Sequence, residues 1–182
     1  MRRYWSALVA MLLTLLTQAN ARADSFEDCR RPPRPEARIT ACSAVIKDAA
    51  ASTEQRAAAY RLRAAARMSA GALSDSITDF SEAISLDPGA VAALSGRGQA
   101  LLLSGDANRA RADYSAALRL APQTAALWLE RGHVNLALGD AEAAISDLNE
   151  AVRLSPRSAT VLNNRGLAYR KKGDLDSAYT DY

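Results

Sequence analysis

Histidine, cysteine and aromatic residues are scarce in this chain. His133 is the one histidine, Cys29 and Cys42 are the two cysteines, and aromatics make up 5% of the 182 residues. A metal site would need more ligands than these, and the histidine lies far along the chain from both cysteines. A redox-active pair usually sits closer together, as Cys-x-x-Cys. Neither a glycine-rich phosphate loop nor a metal-spaced cluster occurs, and Gly96-Arg97-Gly98 falls inside a helical pattern. No catalytic constellation emerges, so the chain reads as a non-enzyme without metal or cofactor.

A membrane-length apolar run is also lacking. The longest apolar stretch, Ala7 to Leu16, is broken by Thr14. It is shorter than the roughly 18 to 20 residues a spanning helix needs, which argues against an uncleaved anchor. Arg2 and Arg3 precede it and Ala21-Arg22-Ala23 follows, the three-part pattern of a secretory signal peptide. Residues 1–23 are therefore expected to be removed, leaving a mature chain that starts at Asp24. No stable membrane insertion is expected after cleavage.

An excess of one charge sign is lacking too. The whole chain carries 23 basic and 20 acidic residues; loss of Arg2, Arg3 and Arg22 leaves 20 of each. A formally neutral mature chain has no electrostatic footprint for nucleic acid. Arginine far outnumbers lysine, a bias associated with GC-rich bacterial genomes. With the leader, it points to a periplasmic or secreted bacterial protein. In that setting the even cysteine count favours a Cys29–Cys42 disulfide, closing a loop that holds Pro32, Pro33 and Pro35.

What is present is a period. Gly71, Gly105, Gly139 and Gly173 recur at every thirty-fourth position, as do Pro88, Pro122 and Pro156, and Ala83, Ala117 and Ala151. Self-similarity at this spacing means stacked helical hairpins, none of which can bury its apolar face alone. In the copy from Val91 to Thr124, a first helix from Ala92 to Leu103 ends at Ser104-Gly105-Asp106. Gly105 suits a left-handed helix terminus, and Asp106 can cap the second helix, from about Ala107 to Leu120. Small residues recur where helices must approach: Gly98, Gly132 and Gly166, and Ala110, Ala144 and Ala178. Large ones recur to fill the remaining space: Tyr60, Leu94, Trp128 and Leu162 in first helices, and Phe80, Tyr114, Leu148 and Tyr182 in second helices.

These residues, with Trp128, Gly132, Gly139-Asp140, Ala144, Leu148, Ala151 and Pro156 as one full set, resemble the tetratricopeptide-repeat (TPR) family over residues 57–182. The copies are 57–90, 91–124, 125–158 and an incomplete 159–182. The first departs most, with Ala64, Ala72 and Ser76 at the glycine, aspartate and alanine positions. The resemblance implies an all-α fold, a right-handed α-solenoid of antiparallel helix pairs. It also implies a concave groove lined by first helices that binds peptides or protein segments. By that implication the groove candidates are Arg61, Ser95, Gln99, Leu129, His133, Asn163, Asn164 and Arg170. Ser95, Gln99 and Leu129 stand where a carboxylate clamp would need charged or amide groups, so chaperone-tail specificity is not expected.

A second pattern belongs to this chain. Arg63, Arg97, Arg131 and Arg165 each lie eight residues before a turn glycine, and Asp79, Asp113, Asp147 and Asp181 each lie eight after it. At 1.5 Å per residue both are about 12 Å from the turn, at one height in an antiparallel pair. An Arg–Asp ladder within or between units is predicted. It reads either as a charged ligand-reading stripe or as structural stapling, the second being the commoner use of such pairs.

Residues 24–56 read as a half-repeat cap. Ile39, Cys42, Ile46 and Ala49 form a stripe at helical spacing, and a shift by one period places Cys42 on Ser76. The disulfide would tie a short N-terminal turn to this helix and cover the first open face of the solenoid. At the other end Tyr179 and Tyr182 sit on an unfinished helix. The leading expectation is an exported adaptor that binds a protein or peptide partner in its groove. The alternatives are an envelope component that forms a homo-oligomer through the open C-terminal edge, and the accessory part of a longer protein.

Overall fold

The structure, a computed structural model, describes residues 26–31 and 34–182. Residues 1–23, where a signal peptide is expected, lie outside them, as do Pro32 and Pro33. All regular structure among the described residues is helical. A helical turn at 26–30 precedes α1 (Pro35–Lys47). Four pairs follow: α2 (Thr53–Ser69) with α3 (Leu73–Leu86), α4 (Val91–Leu103) with α5 (Ala107–Leu120), α6 (Ala125–Ala137) with α7 (Ala141–Leu154), and α8 (Ala159–Lys172) with α9 (Leu175–Asp181). Each helix packs on the one before and the one after it, which is the α-solenoid the period calls for.

The turns inside the pairs show why the spacing persists. Gly71, Gly105, Gly139 and Gly173 all hold positive φ, 79° to 92°. At the second of them the Gly105 N–H donates to Leu102 O and the Asp106 N–H to Leu101 O, closing a Schellman terminus. Asp106, Asp140 and Asp174 then accept from the N–H three residues on and cap the second helices. Ala72 offers no side-chain cap in the first pair. Pro88, Pro122 and Pro156 sit one residue past the C-caps of α3, α5 and α7 and stop those helices.

Within each pair a small residue faces a large one. A Cβ added at Gly98, Gly132 or Gly166 would come within 2.8 to 3.0 Å of Tyr114, Leu148 or Tyr182. In the first pair Ala64 takes the glycine's place, and the Phe80 ring presses on Gly96 of the next pair, where an added Cβ would lie 2.4 Å from it. Ser76, fully buried in place of alanine, donates its hydroxyl to Ala64 O at 2.9 Å. The central core gathers Leu94, Leu101, Tyr114, Leu118, Leu127 and Val134, with Trp128 at its edge.

The ladder residues meet inside each pair. Arg63–Asp79, Arg97–Asp113, Arg131–Asp147 and Arg165–Asp181 are bidentate, at 2.6 to 2.9 Å. The third guanidinium nitrogen reaches back to the preceding helix, to Ser43, Ser81, Ser115 and Asn149. Each arginine thus joins three helices and keeps no nitrogen free.

Cys29 and Cys42 form a disulfide, and both are fully buried against Val45 and Ala59. The register of α1 differs from a shift by one full period. The acceptor Ser43 plays the part of Ser81, which lies one period and four positions further on. The cause is α2, which begins at Thr53 behind a capping box of Ser52 and Gln55. That start is four residues ahead of the boundary at Ala57, and the extra turn pushes α1 back by one turn.

Candidate functional site

The first helices α2, α4 and α6 present their small residues on one side, and a cleft of about 330 Å³ opens between them. Ala65 and Met68 form one wall, Ala92 and Ser95 the middle, and Ala126 and Glu130 the far wall. Phe80 and Tyr114 reach through from the second helices to make the floor, where Gly96 leaves them room. Burial pushes the Tyr114 phenol well above its usual range, so it stays protonated. Arg61 and Gln99 border the cleft and make no hydrogen bond or ion pair within the described residues. A second hollow of about 440 Å³ shares Arg61 and opens toward the α3–α4 link at Asp87 and Pro88.

Of the eight groove candidates, Arg61, Ser95 and Gln99 line this cleft. His133 and Asn164 meet each other instead: His133 Nε2 lies 2.6 Å from Asn164 Oδ1, bridging α6 to α8. The Glu130 carboxylate raises the His133 pKa most, burial opposes it, and Asn164 adds to the rise. Leu129 is half-buried and packs against the cluster of Leu136 and Leu148, so much of it is spent on the core. Asn163 and Arg170 are exposed on α8, outside the cleft. The structure also supplies lining residues that the candidate set omitted. Gly96 and Glu130 share the repeat register of Asn164, and Met68 shares that of Arg170. The period was the signal for all three.

Each nitrogen of the ladder arginines already makes a hydrogen bond, to its Asp or to the preceding helix, so the ladder is committed to the stack. Among the described residues no group of His, Cys, Asp and Glu is placed to hold a metal ion. Among the same residues, no helix is long and apolar enough to cross a membrane.

A tetratricopeptide-repeat profile matches residues 62–125, 95–159 and 129–182. No curated protein matches the chain by sequence. Among solved structures, MamA from Desulfovibrio magneticus RS-1 (residue 41 to its end) superposes with a TM-score of 0.79. It is 20% identical, with 90% of each chain covered. The first TPR of Spaghetti (RPAP3), bound to the HSP90 peptide SRMEEVD, gives 0.64 at 18% identity, covering 66% of this chain and 95% of that one. A thermophilic TPR protein of Thermus thermophilus gives 0.63 at 21% identity, covering 81% and 79%. Identities at this level speak for a shared fold alone.

Proposed function

The chain belongs to the tetratricopeptide-repeat family, and from that premise we propose that it is a non-enzymatic adaptor that holds a segment of a partner protein in the first-helix cleft. The observation that carries this reading is the division of its polar groups. Every nitrogen of the ladder arginines already makes a hydrogen bond within the stack, whereas Arg61 and Gln99 stand uncommitted at the cleft. Walls of Ala65, Met68, Ala92 and Ala126 between Arg61 and Glu130 suit an extended segment of modest polarity. A related fold engaged with a peptide supports that mode of binding. His133, Asn163, Asn164 and Arg170 would extend the surface along α6 and α8, and Leu129 would add an apolar edge. The disulfide suits an oxidising compartment, the periplasm or the exterior of a bacterial cell.

The test places a photo-crosslinking residue at Ser95 and exposes the protein to an envelope extract. A discrete partner adduct that disappears in Arg61→Ala/Gln99→Ala supports the cleft. Adducts that persist unchanged in that variant sink it.

One observation favours self-assembly as a second reading. Leu175 and Tyr179 on α9, with Tyr182 just after it, are 65%, 86% and 61% exposed and together form an apolar patch. Sedimentation that rises with concentration, and falls back for Leu175→Ser/Tyr179→Ser, would favour it over the adaptor.

A further inference from the structure

We propose that His133 is a proton-dependent cover for Glu130: the charged ring holds the Glu130 carboxylate, and the neutral ring releases it to a basic side chain of the segment bound in the cleft. The bound segment rests on the adaptor reading; the ring and its two contacts do not.

The ring stands between two acceptors. His133 Nε2 lies 2.6 Å from Asn164 Oδ1 on α8, and Nδ1 lies 3.6 Å from Glu130 Oε2, one turn earlier on α6. The Asn164 amide is pinned, because its Nδ2 donates to Thr160 O at 2.8 Å. Turning it round would set its oxygen against that carbonyl. Nε2 therefore carries a proton and donates it to Asn164. At Nδ1 the two forms of the ring differ. The imidazolium presents an N–H to the carboxylate, whereas the neutral ring presents a lone pair, and attraction gives way to repulsion. The proton that leaves is the one on Nδ1, since the shorter contact holds the other. Asn164 is thus a positioning residue that decides which contact is given up.

No other element competes for the ring. From α4, Arg97 is held by Asp113. From α5, the Tyr114 phenol feels the Glu130 charge and stays protonated. From α7, Asp147 is bound by Arg131 and Asn135, and Glu142 pairs with Lys172. From α8, Arg165 is held by Asp181, and Lys171 donates to Leu136 O. Glu130 is the charge that acts on His133. The two side chains keep 41% and 33% of their exposure, so solvent protons reach them. Glu130 is also the acid that lines the cleft. The repeat confines the device to this pair: the register of Glu130 carries Gly96 and Asn164 elsewhere, and that of His133 carries Gln99 and Leu167. The ring proton and a partner's lysine or arginine would compete for one carboxylate, so each must weaken the other's binding.

The test has two arms. Without any ligand, the Glu130 carboxyl carbon is followed by NMR as pH rises. It should show a step at the midpoint of the His133 ring, absent from His133→Gln, and Asn164→Ala should lower that midpoint. In the second arm the probe is a capped alanine pentapeptide with a central lysine, and its control carries norleucine there. Saturable amide shifts at Ser95, Gln99 and Glu130 are expected with the lysine peptide. Binding should be about two- to fivefold tighter at about pH 8.5 than at about pH 5.5, the scale of an exposed ion pair. The lysine peptide should lower the His133 midpoint, and His133→Gln should bind it equally at both pH values. No step in the Glu130 carboxyl at the His133 midpoint overturns the proposal, whatever binds. So does a lysine peptide that binds equally at both pH values, or a pH dependence that survives Glu130→Gln or appears with norleucine. A step without binding of either peptide overturns the release to a partner, and there it is the adaptor reading that fails.

Discussion

Removing one carboxylate from the ladder tests whether its charges hold the solenoid together. Asp113→Ala leaves the Arg97 guanidinium facing a cavity where two hydrogen bonds of 2.7 Å had been. Arginine is too basic to escape by losing its proton, so the stranded cation keeps its charge. Breaking a buried pair from one side costs about 3 to 5 kcal/mol. The Arg97 side chain keeps 22% of its exposure and can recruit some water, which places the loss near the low end, about 3 kcal/mol. For a chain of this size that is a fall of about 10 °C in melting temperature. Urea titration gives the loss directly, and amide exchange shows whether it is centred on α4 and α5, as nearest-neighbour coupling in a repeat stack requires. The paired variant Arg97→Met/Asp113→Leu leaves no stranded charge and should return to within about 1 kcal/mol of the native chain. A loss below about 1 kcal/mol for Asp113→Ala would refute the reasoning, because that is the worth of an exposed pair.

Three further outcomes follow from the same geometry. Gly139→Ala meets no atom within 4 Å, so its cost is that of holding alanine at a φ of 80°, about 1 to 2 kcal/mol by denaturant titration. Cys29→Ser removes a crosslink across 13 residues, worth about 3 kcal/mol in the chain-entropy account; α1 should lose exchange protection first, while α6 and α7 keep theirs. His133 is the only histidine, so its ring resonances need no assignment; its midpoint should lie above 6.5 and fall in Glu130→Gln. Because the folded pKa is the raised one, the stabilisation from His133 is complete below the unfolded value and is lost as pH rises through the folded midpoint. A midpoint at or below 6.5 in the native protein would contradict the Glu130 contact.

Positions that repeat were the legible ones. The turn glycines, the capping aspartates and the stop prolines each follow from one local requirement that returns once per period. The ladder was legible in height and partner, since equal distance from the turn forces Arg97 and Asp113 level. Its third contact was written in the same period, as Ser81, Ser115 and Asn149, but required the fork geometry of arginine to be taken into account. The start of α2 was harder to place. Its capping box at Ser52 and Gln55 is a local signal, and it outweighs the period by one turn and carries α1 with it. The groove candidates rest on the family resemblance and on exposed first-helix positions, and Met68, Gly96 and Glu130 are not among them although the register points to them.

The same distinction divides structure from recognition. A position that keeps its residue in every copy is held there by the stack: each nitrogen of Arg97 and each carboxylate oxygen of Asp113 already makes a contact within it. A position that changes from copy to copy is free of that demand. Gly96, Glu130 and Asn164 occupy one register, as do Leu101, Asn135 and Tyr169. Specificity in this chain is therefore to be sought where the repeat is broken, at Arg61 and Glu130 in the cleft.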